Sequence, residues 1–139
     1  MITFIFIVIV TPIIMECLGW FMHRYLFHGI LWPLHEDHHR SSHGFFEKND
    51  ILSSFFAVIS MILIIASGYF ELDSTLSAIG FGMAVYGFFY FWIHDGLAHK
   101  RWLPPAFLRP KWAEVVKKNH RRHHQKITKD GQGPYGLFF

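Results

Sequence analysis

Three long apolar runs set the limits on how this chain can fold. Residues 2–21 are interrupted only by Thr3, Thr11, Pro12 and Glu16, and residues 51–70 and 76–93 carry no charge at all. A helix needs roughly 17–25 residues to cross the hydrocarbon core of a bilayer, so each run is long enough. Core helices of a soluble bundle would show polar residues at the helical period, and the second and third runs show almost none. Of the 139 residues, 52% are hydrophobic and only 17% are charged, against about 25% charged in an ordinary soluble domain. The expectation is one all-α integral membrane domain over residues 1–139, with three transmembrane helices. The first run reads as a retained span rather than a leader. It has no Lys or Arg in residues 1–15 and no small-residue cleavage site before Trp20.

Charge assigns the sides. Arg24, Arg40 and Lys48 lie between the first and second runs, and the other ten of the 13 basic residues follow the third. The link 71–75 carries Glu71 and Asp73 instead. By the positive-inside rule, the basic face is cytoplasmic and the N-terminus lies outside. Such a face suits anionic lipid first and an acidic protein second. No nucleic-acid partner is expected.

All 11 histidines fall on that same face. Ten form four spaced groups: His23 and His28; His35, His38 and His39; His94 and His99; His120, His123 and His124. The order is H-x4-H then H-x2-H-H, an apolar hairpin, and the same two patterns again. On a helix, residues i, i+3 and i+4 fall within about 100°, so each H-x2-H-H group presents its imidazoles on one face. Residues i and i+5 stand about 140° apart on a regular helix. Each H-x4-H pair therefore needs a helix end, a kink or a metal to one side. Imidazole is the commonest metal ligand and suits iron, zinc, copper and nickel. Ten histidines exceed what one metal can take and suit two, expected within about 7 Å of each other as in other di-metal sites. His43 fits no group and is expected to be a bystander. A single Cys excludes a disulfide framework, a zinc ribbon and iron–sulfur clusters held by the chain's own thiolates.

The four groups and their flanking text resemble the bacterial β-carotene hydroxylases, within the fatty acid hydroxylase and sterol desaturase superfamily of membrane non-haem di-iron enzymes. The text is His23-Arg24-Tyr25, His28-Gly29, Gly44-Phe45-Phe46-Glu47-Lys48-Asn49-Asp50, His94-Asp95-Gly96-Leu97-Ala98-His99 and the ending Tyr135-Gly136-Leu137-Phe138-Phe139. Ala98 stands where the family usually has Val. The resemblance implies two iron ions held by the ten grouped histidines, with zinc as a substitute. It implies O2 as oxidant and hydroxylation of a carotenoid β-ionone ring, converting β-carotene to zeaxanthin through β-cryptoxanthin. Electrons would come from outside, through a ferredoxin or reductase and NAD(P)H. Related lipid oxidations (fatty acid or sterol hydroxylation, carotenoid ketolation) and a histidine-rich metal carrier are the alternatives. A carrier should place its ligands along the spans, where this chain has none.

Four acids are candidates to orient imidazoles. Glu36, Asp37 and Asp95 lie inside histidine groups, and such carboxylates can fix the ring N–H of a ligand. Glu16 lies within a span, seven residues before His23, so it points about 20° from it on the helix. An acid there is costly and usually faces a polar interior. It is expected to hydrogen-bond a histidine of a neighbouring helix. Gly80-Phe81-Gly82 lacks the third glycine of a dinucleotide fingerprint. Its expected role is close packing through the small pairs Ala78/Gly82 and Gly80/Ala84. The aromatic run 86–92 is expected to be first an interfacial belt, with some rings lining the ionone pocket that the resemblance implies.

Overall fold

A computed structural model of the protein describes residues 1–40, 46–102, 104 and 106–139. Helix α1 (Ile2–Met22) continues into a π-helical turn, His23–Phe27. Helix α2 covers Trp32–His39, α3 Asp50–Tyr69 and α4 Ser74–Phe89; α4 in turn continues as a π-helical stretch, Tyr90–Ala98. A short 3-10 turn at Ala106–Leu108 precedes α5, Ala113–His124. No strand occurs among the described residues.

Three helices are long and apolar enough to cross a membrane: Ile2–Phe27, Asp50–Tyr69 and Ser74–Ala98. The first and third run past the apolar stretches 2–21 and 76–93. Their π-helical ends carry regular backbone hydrogen bonding through the histidine pairs. Local signals explain several starts. Asp73 accepts the Thr75 N–H at 2.7 Å and caps α4. Pro33 sits in the first turn of α2, where a missing N–H costs nothing.

Helix α4 is central and packs against both α1 and α3. Its close approach rests on Ala78, Gly80 and Gly82, all buried. The Ser60 hydroxyl of α3 donates to the Gly80 carbonyl at 2.8 Å. On the other side, a Cβ at Gly82 would run into Thr11 of α1. Ala78 and Gly82 thus form a buried small pair. Ala84 is exposed, so the expected Gly80/Ala84 pair does not form. The outward faces keep large apolar side chains such as Ile9, Phe55 and Ile62 exposed, a surface suited to lipid and not to water.

Gly82→Val should force α1 off α4. Overpacking of this kind typically costs about 1–3 kcal/mol, and thermal unfolding in detergent would register it as a lowered midpoint. Gly68→Ala, where no atom lies within 4 Å of the added Cβ, should keep the midpoint or raise it slightly, because Ala favours a helix over Gly.

Helices α1 and α4 run in the same direction, Thr11 meeting Gly82 and Gly19 meeting Tyr86. Helix α3 runs the other way, Ser60 meeting Gly80 and Ser67 meeting Asp73. The end of α1, the start of α3 and the end of α4 therefore share one end of the bundle. There α2 packs on the π-turn and α5 on the π-stretch, which makes a cap over the three spans.

Candidate metal centre

The H-x4-H pairs lie on the two π-helical segments. The His28 N–H donates to the His23 carbonyl at 3.1 Å and the His99 N–H to the His94 carbonyl at 2.9 Å. A helix closed by i→i+5 bonds brings residue i+5 round to about one turn above residue i, and such segments concentrate at functional sites. The 140° separation of a regular helix is thereby removed. The rings of His23 and His28 stack at 5.1 Å between centroids, and those of His94 and His99 lie 4.7 Å apart.

The cap gathers nine of the ten grouped histidines into two sets. His23, His28, His35, His39 and His123 could hold one metal ion, the candidate first centre, and His38, His99, His120 and His124 a second; within each set all ligand nitrogens lie within 4.8 Å of one another. The division cuts across the sequence groups. In α2, His35 and His39 face the first centre and His38 the second. In α5, His120 and His124 face the second and His123 the first. Each half of the chain thus lends one imidazole to the other half's centre. His94 stacks on His38 at 4.8 Å and meets His120 at 4.5 Å, so its ring borders the second centre. Its Nε2 lies 3.3 Å from the Tyr90 hydroxyl.

Six of the outward nitrogens are held by oxygen acceptors. The Nδ1 atoms of His23, His28 and His123 meet the carbonyls of Tyr135 (2.6 Å), Lys129 (3.2 Å) and Gln132 (2.5 Å). His35 Nδ1 meets Asn49 Oδ1 at 2.7 Å, His38 Nδ1 meets Glu47 Oε2 at 2.9 Å, and His94 Nδ1 meets Asp95 Oδ1 at 2.7 Å. An Nδ1–H bound to such an acceptor leaves Nε2 as a lone-pair donor. The Nε2 atoms then converge: His23 on His35 at 2.9 Å, His35 on His39 at 3.2 Å, His28 on His123 at 3.3 Å and His99 on His120 at 2.6 Å. Facing lone pairs cannot bond each other. Two ligands each about 2.1 Å from one metal and at right angles stand about 3.0 Å apart, which these spacings match. His38 Nε2 and His124 Nε2 are buried with no hydrogen-bond partner among the described residues. The donor set therefore fits metal ions.

Burial keeps the imidazoles neutral. It drops His35 to about 3, with the Asn49 hydrogen bond opposing, and drops His99 and His123 each to about 4. Burial also holds His38 well below its ordinary value, helped by neighbouring His99. A group left unprotonated at neutral pH is a ready ligand.

The acids divide differently from the expectation. Asp95 bonds His94. Glu36 instead receives the exposed Arg40 guanidinium of the next turn at 2.5 Å. Asp37 accepts the Lys48 N–H at 2.7 Å, which ties the loop before α3 to α2. That loop carries Glu47 and Asn49, the two imidazole partners that sequence reasoning passed over as candidates. The available signal was the stretch Gly44-Phe45-Phe46-Glu47-Lys48-Asn49-Asp50, whose alternate residues Glu47 and Asn49 are both buried. Among the described residues, Glu16 reaches no histidine. It accepts the Tyr86 hydroxyl at 2.9 Å and the Phe138 and Phe139 N–H groups at 2.7 and 3.3 Å. At about 10 Å of axial rise from His23, it meets the returning C-terminal segment instead. His43, with Gly44 and Phe45, lies outside the described residues.

A cavity of about 600 Å³ opens between α1, α3 and α4 and reaches His23, His35, His94 and His120 at its capped end. Its walls are mainly apolar, Phe27, Phe56, Ile64 and Met83 among them. Tyr86, Tyr90 and Phe91 of the aromatic run line it too, so this run is more than a belt. Trp92 is not among the cavity's lining residues and donates its indole N–H to the Leu108 carbonyl at 2.9 Å.

The fatty acid hydroxylase family pattern matches residues 8–139. The chain is 38% identical over 135 residues to a β-carotene hydroxylase of Pseudescherichia vulneris, covering 96% of this chain and 74% of that protein. It is 38% identical over 137 residues to one from Pantoea ananas, covering 96% and 75%. The chloroplastic β-carotene hydroxylase 1 of Capsicum annuum is 37% identical over 130 residues, covering 89% of this chain and 39% of the plant protein. No solved structure matches.

Proposed function

As the chain belongs to the fatty acid hydroxylase family, we propose that it is a membrane carotenoid 3-hydroxylase working with two iron ions. The observation that carries this reading is the pair of imidazole sets at the end of an apolar cavity bounded by membrane helices. Inserting oxygen into an unactivated C–H bond is beyond any acid or base side chain. Iron held by neutral nitrogen ligands with open positions supplies the O2 chemistry.

The first ion would be held by His23, His28, His35, His39 and His123. The second would be held by His38, His99, His120 and His124, with the ring of His94 beside them. The chain's own work is positioning. Asn49, Glu47, Asp95 and the three carbonyls fix ring orientation. The apolar cavity accepts a β-ionone ring and excludes water, while the polyene extends towards lipid between α1 and α3. O2 and two external electrons, with two protons, yield one alcohol and one water per ring. A ferredoxin or reductase drawing on NAD(P)H would supply the electrons. Helix α5 supports a docking side, because Lys118, Arg121 and Arg122 are exposed on the helix whose inner face bears three ligands.

Carotene-producing cells expressing this chain should accumulate β-cryptoxanthin and zeaxanthin by pigment chromatography. Unchanged β-carotene, with metal-loaded protein in the membrane, would overturn the assignment. For sidedness, a reporter fused after Phe139 should be active only in the cytoplasm, and periplasmic activity would reverse the proposed topology.

A further inference from the structure

We infer that residues 128–139 are a strap that positions the first metal centre alone, and that Glu16 is the clasp that holds it. Three of that centre's five histidines owe their Nδ1 acceptor to this segment. The carbonyls of Lys129, Gln132 and Tyr135, every third residue, meet His28, His123 and His23. The segment is neither helix nor strand, so its carbonyls are free to face the imidazoles. Gly131 sits at φ +61°, with its Cα so close to His28 that an added Cβ would stand 2.8 Å from Nδ1. Such a position favours glycine on both counts. The buried Tyr135 ring packs on His23, His28 and His123 at 5.2–5.5 Å. Arg24 donates to its hydroxyl at 3.1 Å.

The far end of the strap is fastened inside α1. Glu16 is 4% exposed. One carboxylate oxygen accepts the N–H groups of Phe138 and Phe139, and the other accepts the Tyr86 hydroxyl. Gly136 lies so near that a Cβ there would meet Glu16 Oε1 and the Phe139 carbonyl. A carboxylate within a membrane helix is expensive unless its oxygens are bonded, so strap and clasp stabilise each other. The second centre is held otherwise: Glu47 holds His38, and Asp95 holds His94 at its border. Among the described residues, hydrogen bonds from the strap to histidine reach the first centre only. Glu16 is thus a positioning residue that acts on His23 through the backbone of Tyr135.

The inference rests on the two-metal reading, and its test separates the two. Full-length protein is purified, loaded with Fe(II), and its iron counted per chain with binding titrated. Glu16→Leu should weaken the first centre by up to about 10–100-fold, the effect of losing the outer hydrogen-bond partners that the strap carbonyls supply. Its iron content should fall from two towards one. Glu16→Gln keeps an oxygen acceptor for the two N–H groups and should restore most of it. Adding His124→Ala to Glu16→Leu should remove the remaining iron, whereas adding His39→Ala should remove no more than His39→Ala alone. Should Glu16→Leu fail to accumulate, Gly136→Val loosens the same clasp from the strap side and should give the same single loss. Two irons at wild-type affinity in these variants, or a loss that adds to His39→Ala instead of to His124→Ala, would overturn the strap. Wild-type protein that binds no iron would overturn the hydroxylase reading itself.

Discussion

Alanine at His123 is expected to abolish hydroxylation and to empty the centre built around His23 and His28. His123 lies between His120 and His124 in sequence, yet those two serve the other centre. On α5, His120 and His124 are separated by about 40°, while His123 points about 100° away from His124, towards the first centre. His38 should behave as its mirror. His38→Ala should empty the second centre, although its neighbours His35 and His39 serve the first. Iron analysis should find one ion per chain in each single variant and none in the double variant. Pigment chromatography should find no zeaxanthin in any of them. Loss of the same ion in both single variants would refute the exchange of imidazoles between halves.

Stripping the metals should open the cap and leave the spans intact. In the first centre five ligand nitrogens lie within 4.8 Å of one another. Without cations, their buried lone pairs have no donors to meet, and an unpaired buried polar group is costly. A ligand present at 1,000 times its dissociation constant stabilises by about 4 kcal/mol. That should lower the thermal midpoint by on the order of 10 °C on removal in a chain of this size. Circular dichroism after chelation should keep the helical signal of α1, α3 and α4. Limited proteolysis should newly cut between 99 and 139, and added Fe(II) should reverse the cutting. An unchanged cleavage pattern and midpoint after complete metal removal would show that the cap stands without metal.

Much of this architecture is legible along the chain. An uncharged run of twenty residues has few alternatives to a membrane helix, because hydrocarbon leaves no partner for backbone groups except the helix itself. The histidine groups are legible for a similar reason. Imidazoles at i, i+3 and i+4 share a helix face whatever the fold. The i, i+5 pairs even flag their own anomaly, since a regular α-helix separates them. Only the structure shows that π-helical segments remove it, by letting His28 and His99 bond back five residues.

What the chain could not announce are the choices that depend on which elements meet. The nearest acids in sequence, Glu36 and Asp37, turn to Arg40 and to the Lys48 N–H, while Glu47 and Asn49 reach the imidazoles from the next loop. Glu16 shares a helix face with His23, but its partners come from 70 and 122 residues away. Run length and absence of charge determined the three spans, and periodicity, which describes the face a residue presents, determined the histidine-bearing faces. Packing decides what arrives at that face. The exchange of His38 and His123 between centres, the strap over the first, and the clasp at Glu16 therefore belong to the tertiary structure, where hydrogen bonds join residues that no local spacing relates.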